Sequence, residues 1–274
     1  MIPTLPQTRD KLLRRVCPLF AVGGARDALK TPKQVGSAVL FRYGECSLLL
    51  TAKHVCEEGK GGPLMVVTPG DSIDARTFVT LPYSQKPWNV RCAGFEDADV
   101  ACIPMEIDTA ESVGRQCEYV EPDEIGSVDD EIPGLASRFV LIGFPNSRNQ
   151  QAVCDPLTGR ARKPWKVTAF TGELRARLPS KFATPNGQSP AAHFALQASK
   201  KMAMFSGEAD RDGPDFHGIS GGGVWKLHID PTTQLVERCS LVGVFIEKVN
   251  QQGIIVLRAV RVEWAKDYTT WWRL

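Results

Sequence analysis

The chain has 274 residues, 43% of them hydrophobic, enough to bury one large or two small cores. Its 33 basic and 31 acidic residues leave a formal charge of +2, so no global field draws it to nucleic acid or to an anionic membrane.

Residues 1–34 read as an amino-terminal arm. The first twenty carry Arg9, Lys11, Arg14 and Arg15 with no uninterrupted apolar run, so no secretory signal is read there and a cytoplasmic location is expected. The apolar-rich stretch 35–43, the turn pair Gly44-Glu45 and a second apolar run over 46–52 predict a β-hairpin that delivers His54 at its far end. Further strands are expected over 63–68, 76–81, 90–94 and 100–105, completing a first unit at 35–110. Residues 111–135 read as an acidic connector: between Glu106 and Glu131 the one cation is Arg115. Such a run is either a solvated loop or a surface that steers a charged partner.

A second unit, 136–274, has expected strands over 138–144, 165–174, 192–196, 222–228, 240–248 and 253–259. Its apolar runs, such as 139–144, are strand-sized and too short to span a bilayer. Over 260–274, Val262, Trp264, Ala265, Tyr268, Trp271 and Trp272 fall at helical spacing, which predicts a terminal helix docked by its apolar stripe. Two groups of about six strands each suggest two antiparallel barrels, which leave no open edges. The expected class is all-β.

The eight cysteines are expected as reduced thiols in a long chain without a leader. Cys46 and Cys56 flank His54 and form the one pairing worth weighing. No CxxC pair occurs, and His193, His217 and His228 lack ligand spacing, so neither a metal nor a cofactor is expected.

Three short words carry chemistry: Thr51-Ala52-Lys53-His54-Val55, then Asp99-Val100-Ala101, then Gly218-Ile219-Ser220-Gly221-Gly222-Gly223. They supply a base, an acid to orient it and a nucleophile on a glycine-rich turn, the set that acyl transfer by serine requires. Singly, His54 is a buried structural histidine, Asp99 a turn residue and Ser220 part of a flexible loop. Together and in this order they point to a triad. Asp97 competes with Asp99, but Asp99 directly precedes the apolar Val100-Ala101 pair. His217 reads as a cleft-rim residue rather than a second base.

These words resemble those of chymotrypsin/trypsin-like serine proteases, of a bacterial intracellular type. Thr51-Ala52-Lys53-His54 is similar to the family's Thr-Ala-Ala-His, Asp99-Val100-Ala101 to its Asp-Ile/Val-Ala, and Gly218-Ile219-Ser220-Gly221-Gly222 to its Gly-Asp-Ser-Gly-Gly. Leu241-Val242-Gly243-Val244-Phe245 resembles the strand that follows the nucleophile and pairs with substrate. The likeness covers roughly residues 35–265. It implies two six-stranded barrels with the site between them, catalytic His54, Asp99 and Ser220, and an oxyanion hole from the Gly218 and Ser220 N–H groups. It also implies substrate contacts at Phe245, Ile246 and Glu247, and at Asp215 if that side chain reaches the base of the specificity pocket.

Two departures matter. Ile219 stands where the family has an aspartate that pairs with a newly liberated amino terminus, so activation by that ion pair is not expected. The Asp99-to-Ser220 separation is longer than usual, and the surplus is assigned to loops at 146–164 and 179–190. The activity this implies is serine endopeptidase cleavage of a protein or peptide, with a regulatory protein as a further partner. The alternative is a catalytically silent two-barrel module that binds peptides along the strand near 245–248.

Overall fold

The hairpin forms where the two apolar stretches and their turn placed it. β1 (Val16–Ala21) precedes it, and β2 (Lys33–Tyr43) and β3 (Cys46–Thr51) then pair antiparallel from Val39 opposite Leu50 to Tyr43 opposite Cys46. The computed structural model describes residues 4–21, 33–58, 64–72, 75–80, 88–89, 98–146, 170–174, 176–183, 191–198 and 216–266. Helix α1 (Leu5–Leu13) lies ahead of β1 and the short α2 (Lys53–Glu58) follows β3. Then come β4 (Leu64–Ser72), β5 (Ala75–Thr80), β6 (Trp88–Asn89) and β7 (Ala101–Pro104). These strands form one antiparallel sheet in the order β5-β4-β1-β2-β3-β7-β6.

Helix α3 (Ile107–Gly114) leads to the second group: β8 (Ala136–Gly143), β9 (Phe170–Leu174), β10 (Ala176–Leu178), β11 (His193–Ala198), β12 (Gly223–Ile229), β13 (Val236–Gln251) and β14 (Ile254–Arg261). They form a second antiparallel sheet in the order β10-β11-β14-β13-β12-β8-β9. The class is all-β with two sheets, as expected. Each sheet has seven strands rather than six, and among the described residues the end strands of neither sheet pair with each other.

The first extra strand is β1, which lies within the stretch read as an arm and contains Pro18. A proline cannot donate to a ladder and is normally confined to strand positions without that bond. Here β4 pairs only with Leu19–Ala21, beyond Pro18. On the other side Pro18 faces Ser37. Ser37 turns its N–H to the Ser220 carbonyl, 2.8 Å, and its carbonyl to the Thr51 hydroxyl, 2.7 Å. The proline thus costs no ladder bond. The second is β10, three residues long, below the length that periodicity resolves.

The predicted terminal helix is a correction. β14 runs to Arg261, and one 3-10 turn, Glu263–Lys266, follows. Val262, Trp264 and Ala265 are buried, so the apolar stripe packs as expected although not as a regular helix. Tyr268, Trp271 and Trp272 lie outside the described residues, as do the expected strand at 90–94 and most of the loops at 146–164 and 179–190.

A single apolar cluster runs through both sheets, joining Leu40, Phe41 and Leu50 of the first to Trp225, Leu227 and Val244 of the second. A second cluster, including Phe139, Leu141, Phe194 and Val242, belongs to the second sheet. The acidic connector packs into the first of these clusters through Val113, Tyr119, Val120 and Ile125, all buried. Parallel bridges tie it to each sheet, Phe41 to Val120 and Ile125 to Leu241. Its carboxylates neutralise cations. Glu124 lies 2.9 Å from Arg15, Glu131 lies 2.8 Å from the buried Lys226, and Asp129 pairs with both Arg177 and Arg261.

Candidate active site

The antiparallel register brings the first two words together. Thr51 at the end of β3 lies opposite Ala101 at the start of β7. The chain leaving Thr51 and the chain arriving at Ala101 therefore meet at one end of the sheet. His54 stands three residues beyond Thr51, on α2, and Asp99 two residues before Ala101. Buried Ala52, Val55 and Cys56 anchor α2, while Ala98 and Val100 anchor the bend that carries Asp99.

The resulting contact is specific. His54 Nδ1 lies 2.5 Å from Asp99 Oδ2, and the His54 backbone N–H donates to Asp99 Oδ1 at 2.9 Å. A carboxylate fixed by two bonds to one residue holds the ring orientation and keeps the Nδ1 proton in place, leaving Nε2 to accept. The hydrogen bond that His54 donates to Asp99, and then the Asp99 charge and those of Glu58 and Glu247, raise the His54 pKa above 6.5 against the opposing effect of burial. For Asp99, burial pushes the pKa up. The His54 ring together with the His54 and Lys53 N–H groups outweighs that, and the carboxyl ends below 3.8. Asp97 lies outside the described residues.

Ser220 sits on the turn that enters β12, in the same cleft as His54 and Asp99. That cleft, about 530 Å³, is also lined by Asn146, His217, Gly218, Phe245, Ile246 and Glu247. The Ser220 hydroxyl donates to the Ile246 carbonyl at 3.0 Å. Among the described residues it makes no bond to His54. The Ile246 carbonyl is available because β13 bulges there: its pairing with β14 shifts register between Phe245 and Glu247, leaving Ile246 out of the ladder.

Successive peptides of the turn are each pinned. The Asn146 N–H donates to the His217 carbonyl at 2.7 Å, fixing the 217–218 peptide. The Gly218 carbonyl accepts the Ser37 hydroxyl at 2.7 Å, and the Ile219 N–H donates to the Phe216 carbonyl at 3.1 Å. The Gly222 N–H donates to the Ile219 carbonyl at 2.8 Å, which fixes the 219–220 peptide. The N–H groups of Gly218 and Ser220 point opposite to these tethered carbonyls. Neither donates to another described residue. Gly218 and Gly221 both adopt φ +88, where a β-carbon is strained. A β-carbon on Gly218 would strike the Asn146 side chain, and one on Gly221 the Ser37 carbonyl.

Ile219 is fully buried in the second-sheet cluster. Burial of that size stabilises by about 1.5–3 kcal/mol and anchors the turn without an ion pair. His217 is exposed on the cleft rim. Phe245 is buried, with its ring 5.9 Å from that of Phe216 at a 50° tilt. Glu247 lines the cleft, yet its carboxylate is engaged by Arg258 at 2.7 Å. Asp215 falls outside the described residues.

Sequence reasoning missed Gln34, Ser37 and Asn146. The available signal was polar residues at 34 and 37 bordering the apolar run Ala38, Val39 and Leu40. Buried polar groups need partners, and Ser37 and Gln34 find theirs in the nucleophile turn.

Among the described residues no group of three or more His, Cys, Asp or Glu is placed to hold a metal ion. No described helix is long and apolar enough to cross a membrane. The described cysteines, Cys46 and Cys56 included, are unbridged. Burial, with help from Asp99 and Glu57, pushes the Cys56 thiol up to about 12. At neutral pH such a thiol stays protonated and is a poor nucleophile.

No family model and no curated protein matches the chain. Among solved structures it is similar to neuropsin, a serine protease expressed in the limbic system of mouse brain. The identity is 14%, the TM-score 0.48, and the match covers 94% of this chain and 92% of that chain.

The site geometry sets a pH expectation. Only neutral imidazole accepts a hydroxyl proton, so any His54-dependent reaction gains rate as pH rises through the His54 pKa. The Asp99 bond raises that pKa, so the inflection is expected above the free-imidazole value of about 6.5. A rate–pH profile with its single inflection clearly below that value would contradict the paired geometry.

Proposed function

We propose that the chain is a serine endopeptidase of the chymotrypsin/trypsin-like kind, cutting protein or peptide substrates through an acyl-enzyme. One observation carries the reading: a His54–Asp99 pair shares a cleft with Ser220 and two uncommitted backbone N–H groups. In this mechanism His54 Nε2 takes the Ser220 proton as Oγ attacks the substrate carbonyl, and Asp99 stabilises the imidazolium. The Gly218 and Ser220 N–H groups receive the developing oxyanion, each donor contributing about 3–4 kcal/mol in comparable sites. His54 then returns its proton to the leaving amine, and water releases the acyl group by the same route in reverse.

The resting hydroxyl must first leave the Ile246 carbonyl. Substrate chain laid along 245–248 supplies the means, because a substrate N–H that takes this carbonyl frees Ser220 to turn to His54. β13 pairs with β12 as far as Val244, and Phe245 still exchanges main-chain bonds with Gly221 and Gly222. Beyond Phe245 this edge has no strand partner among the described residues and is open to an added strand. Phe245, Ile246 and Glu247 are the substrate-facing residues of the proposal. Ile219 makes no ion pair, so competence needs no liberated amino terminus. A cytoplasmic location and a regulatory protein partner complete the proposal, the latter because a preformed site needs another means of control.

The parked Ser220 hydroxyl also suits the alternative of a silent peptide-binding module, so the test must read chemistry at Ser220. Protein with an uncleavable tag ahead of Met1, its thiols blocked with iodoacetamide, is treated with a fluorophosphonate. Complete labelling at Ser220 is expected. Absence of labelling would favour the silent module. Labelling only after trimming of the amino terminus would reject the activation reading, and loss on thiol blocking would implicate a cysteine.

A further inference from the structure

Ser37 belongs to the first sheet, yet every polar group it carries is committed at or beside the nucleophile turn. Its hydroxyl donates to the Gly218 carbonyl at 2.7 Å and accepts the Phe144 N–H at 2.9 Å. Its N–H donates to the Ser220 carbonyl at 2.8 Å, and its own carbonyl accepts the Thr51 hydroxyl at 2.7 Å. The side chain is fully buried. Gln34, three residues earlier on β2, places Nε2 on the Phe144 carbonyl and at 3.4 Å from the Gly218 carbonyl.

We propose that Ser37, assisted by Gln34, is a positioning residue that latches the oxyanion turn open from the opposite sheet. This rests on the hydrolase reading above. The Gly218–Ile219 peptide joins the two peptides that carry the Gly218 and Ser220 N–H groups, so its orientation helps to set how those groups lie relative to each other. Its N–H has a local partner in Phe216, but its carbonyl is held only by Ser37 and Gln34 among the described residues. Removing the Ser37 hydroxyl leaves both the Gly218 carbonyl and the Phe144 N–H short of a buried partner, and a buried unpaired group drives rearrangement. The flexible φ +88 residue Gly218 offers the route for that rearrangement. The latch stands in for an amino-terminal ion pair, which Ile219 cannot make. It also couples the two sheets, since the base is carried by one and the oxyanion donors by the other.

The test is Ser37→Ala, which keeps the Ser37 backbone bonds. A fluorophosphonate concentration series separates the maximal rate of Ser220 modification from reagent binding. The maximal rate is expected to fall by roughly 10- to 100-fold with apparent binding within about twofold, since lost oxyanion stabilisation acts on the transition state. Amide exchange at Ile219 is expected to quicken by about tenfold or more as the turn loosens. Ile229→Ala, a core cavity at the far end of β12, controls for general destabilisation and should move neither readout. A Ser37→Ala protein that folds with a maximal rate within about twofold of wild type overturns the latch. Should Ser37→Ala fail to fold, Gln34→Ala is read by the same measurements: a slower maximal rate with faster exchange supports the latch, and no change overturns it. Were the wild-type chain to take no phosphonate, the hydrolase reading falls, and exchange at Ile219 alone decides the latch.

Discussion

Replacing Ser220 with alanine is expected to abolish hydrolysis while leaving the fold intact, with turnover falling by on the order of 10⁶. The serine hydroxyl is a proton donor to one partner, the Ile246 carbonyl. Losing that bond costs about 1 kcal/mol of stability. The turn itself is held by main-chain bonds that alanine retains: the Ser37 N–H to the residue-220 carbonyl, and the Gly221 and Phe245 N–H groups to the carbonyls of Phe245 and Gly222, all 2.8 Å. Thermal midpoint and turnover should therefore part company, the first nearly unchanged and the second lost. Activity within tenfold of wild type would remove Ser220 from the chemistry. A collapse of the thermal midpoint would mean that the hydroxyl does structural work not visible in its single bond.

Asp99→Asn is expected to cost roughly 10⁴ in turnover, by the tautomer argument that applies to any Ser-His-Asp site. Asp99 uses both oxygens on one residue, Oδ1 for the His54 N–H and Oδ2 for Nδ1. An asparagine satisfies the backbone N–H with its one oxygen and must present its NH₂ group to Nδ1. The imidazole then accepts at Nδ1 and carries its proton on Nε2, facing Ser220, where no base remains. A second signature accompanies the loss. The charge and hydrogen bond that raise the His54 pKa are both gone, so the residual activity should titrate at lower pH than wild type. Full activity in Asp99→Asn together with a large loss in Asp97→Asn would reassign the acid.

The strands that sequence placed well are short apolar runs with clear turn punctuation. The pair over 35–52 emerges as β2 and β3, and the runs at 100–105, 138–144 and 222–228 emerge as β7, β8 and β12. The misreadings have particular causes. Pro18 makes β1 hard to read because a missing donor is harmless only if the facing residue has other partners, and those partners, the Ser220 carbonyl and the Thr51 hydroxyl, are remote from it along the chain. The acidic connector looks solvated because its charges are local. The cations that absorb them, Arg15, Lys226 and Arg261, are distant in sequence. The stripe after 260 has the right apolar content, but the backbone there completes β14 and one 3-10 turn.

The sequence by itself determined the candidate chemistry, because each reacting group sits in a short word whose neighbours prepare it locally. Thr51 ends a strand three residues before His54, Asp99 stands two residues before the next strand, and the glycines around Ser220 permit the positive-φ turn. Tertiary structure alone decided which carboxylate His54 meets, where the Ser220 hydroxyl rests and what holds the oxyanion donors in place. These depend on pairings such as Ser37 with Gly218, 181 positions apart. Periodicity and spacing report neighbours along the chain, whereas such contacts arise only when two sheets pack with one register. That register is fixed by the shared apolar core around Phe41, Trp225 and Val244, which no single segment of the chain encodes.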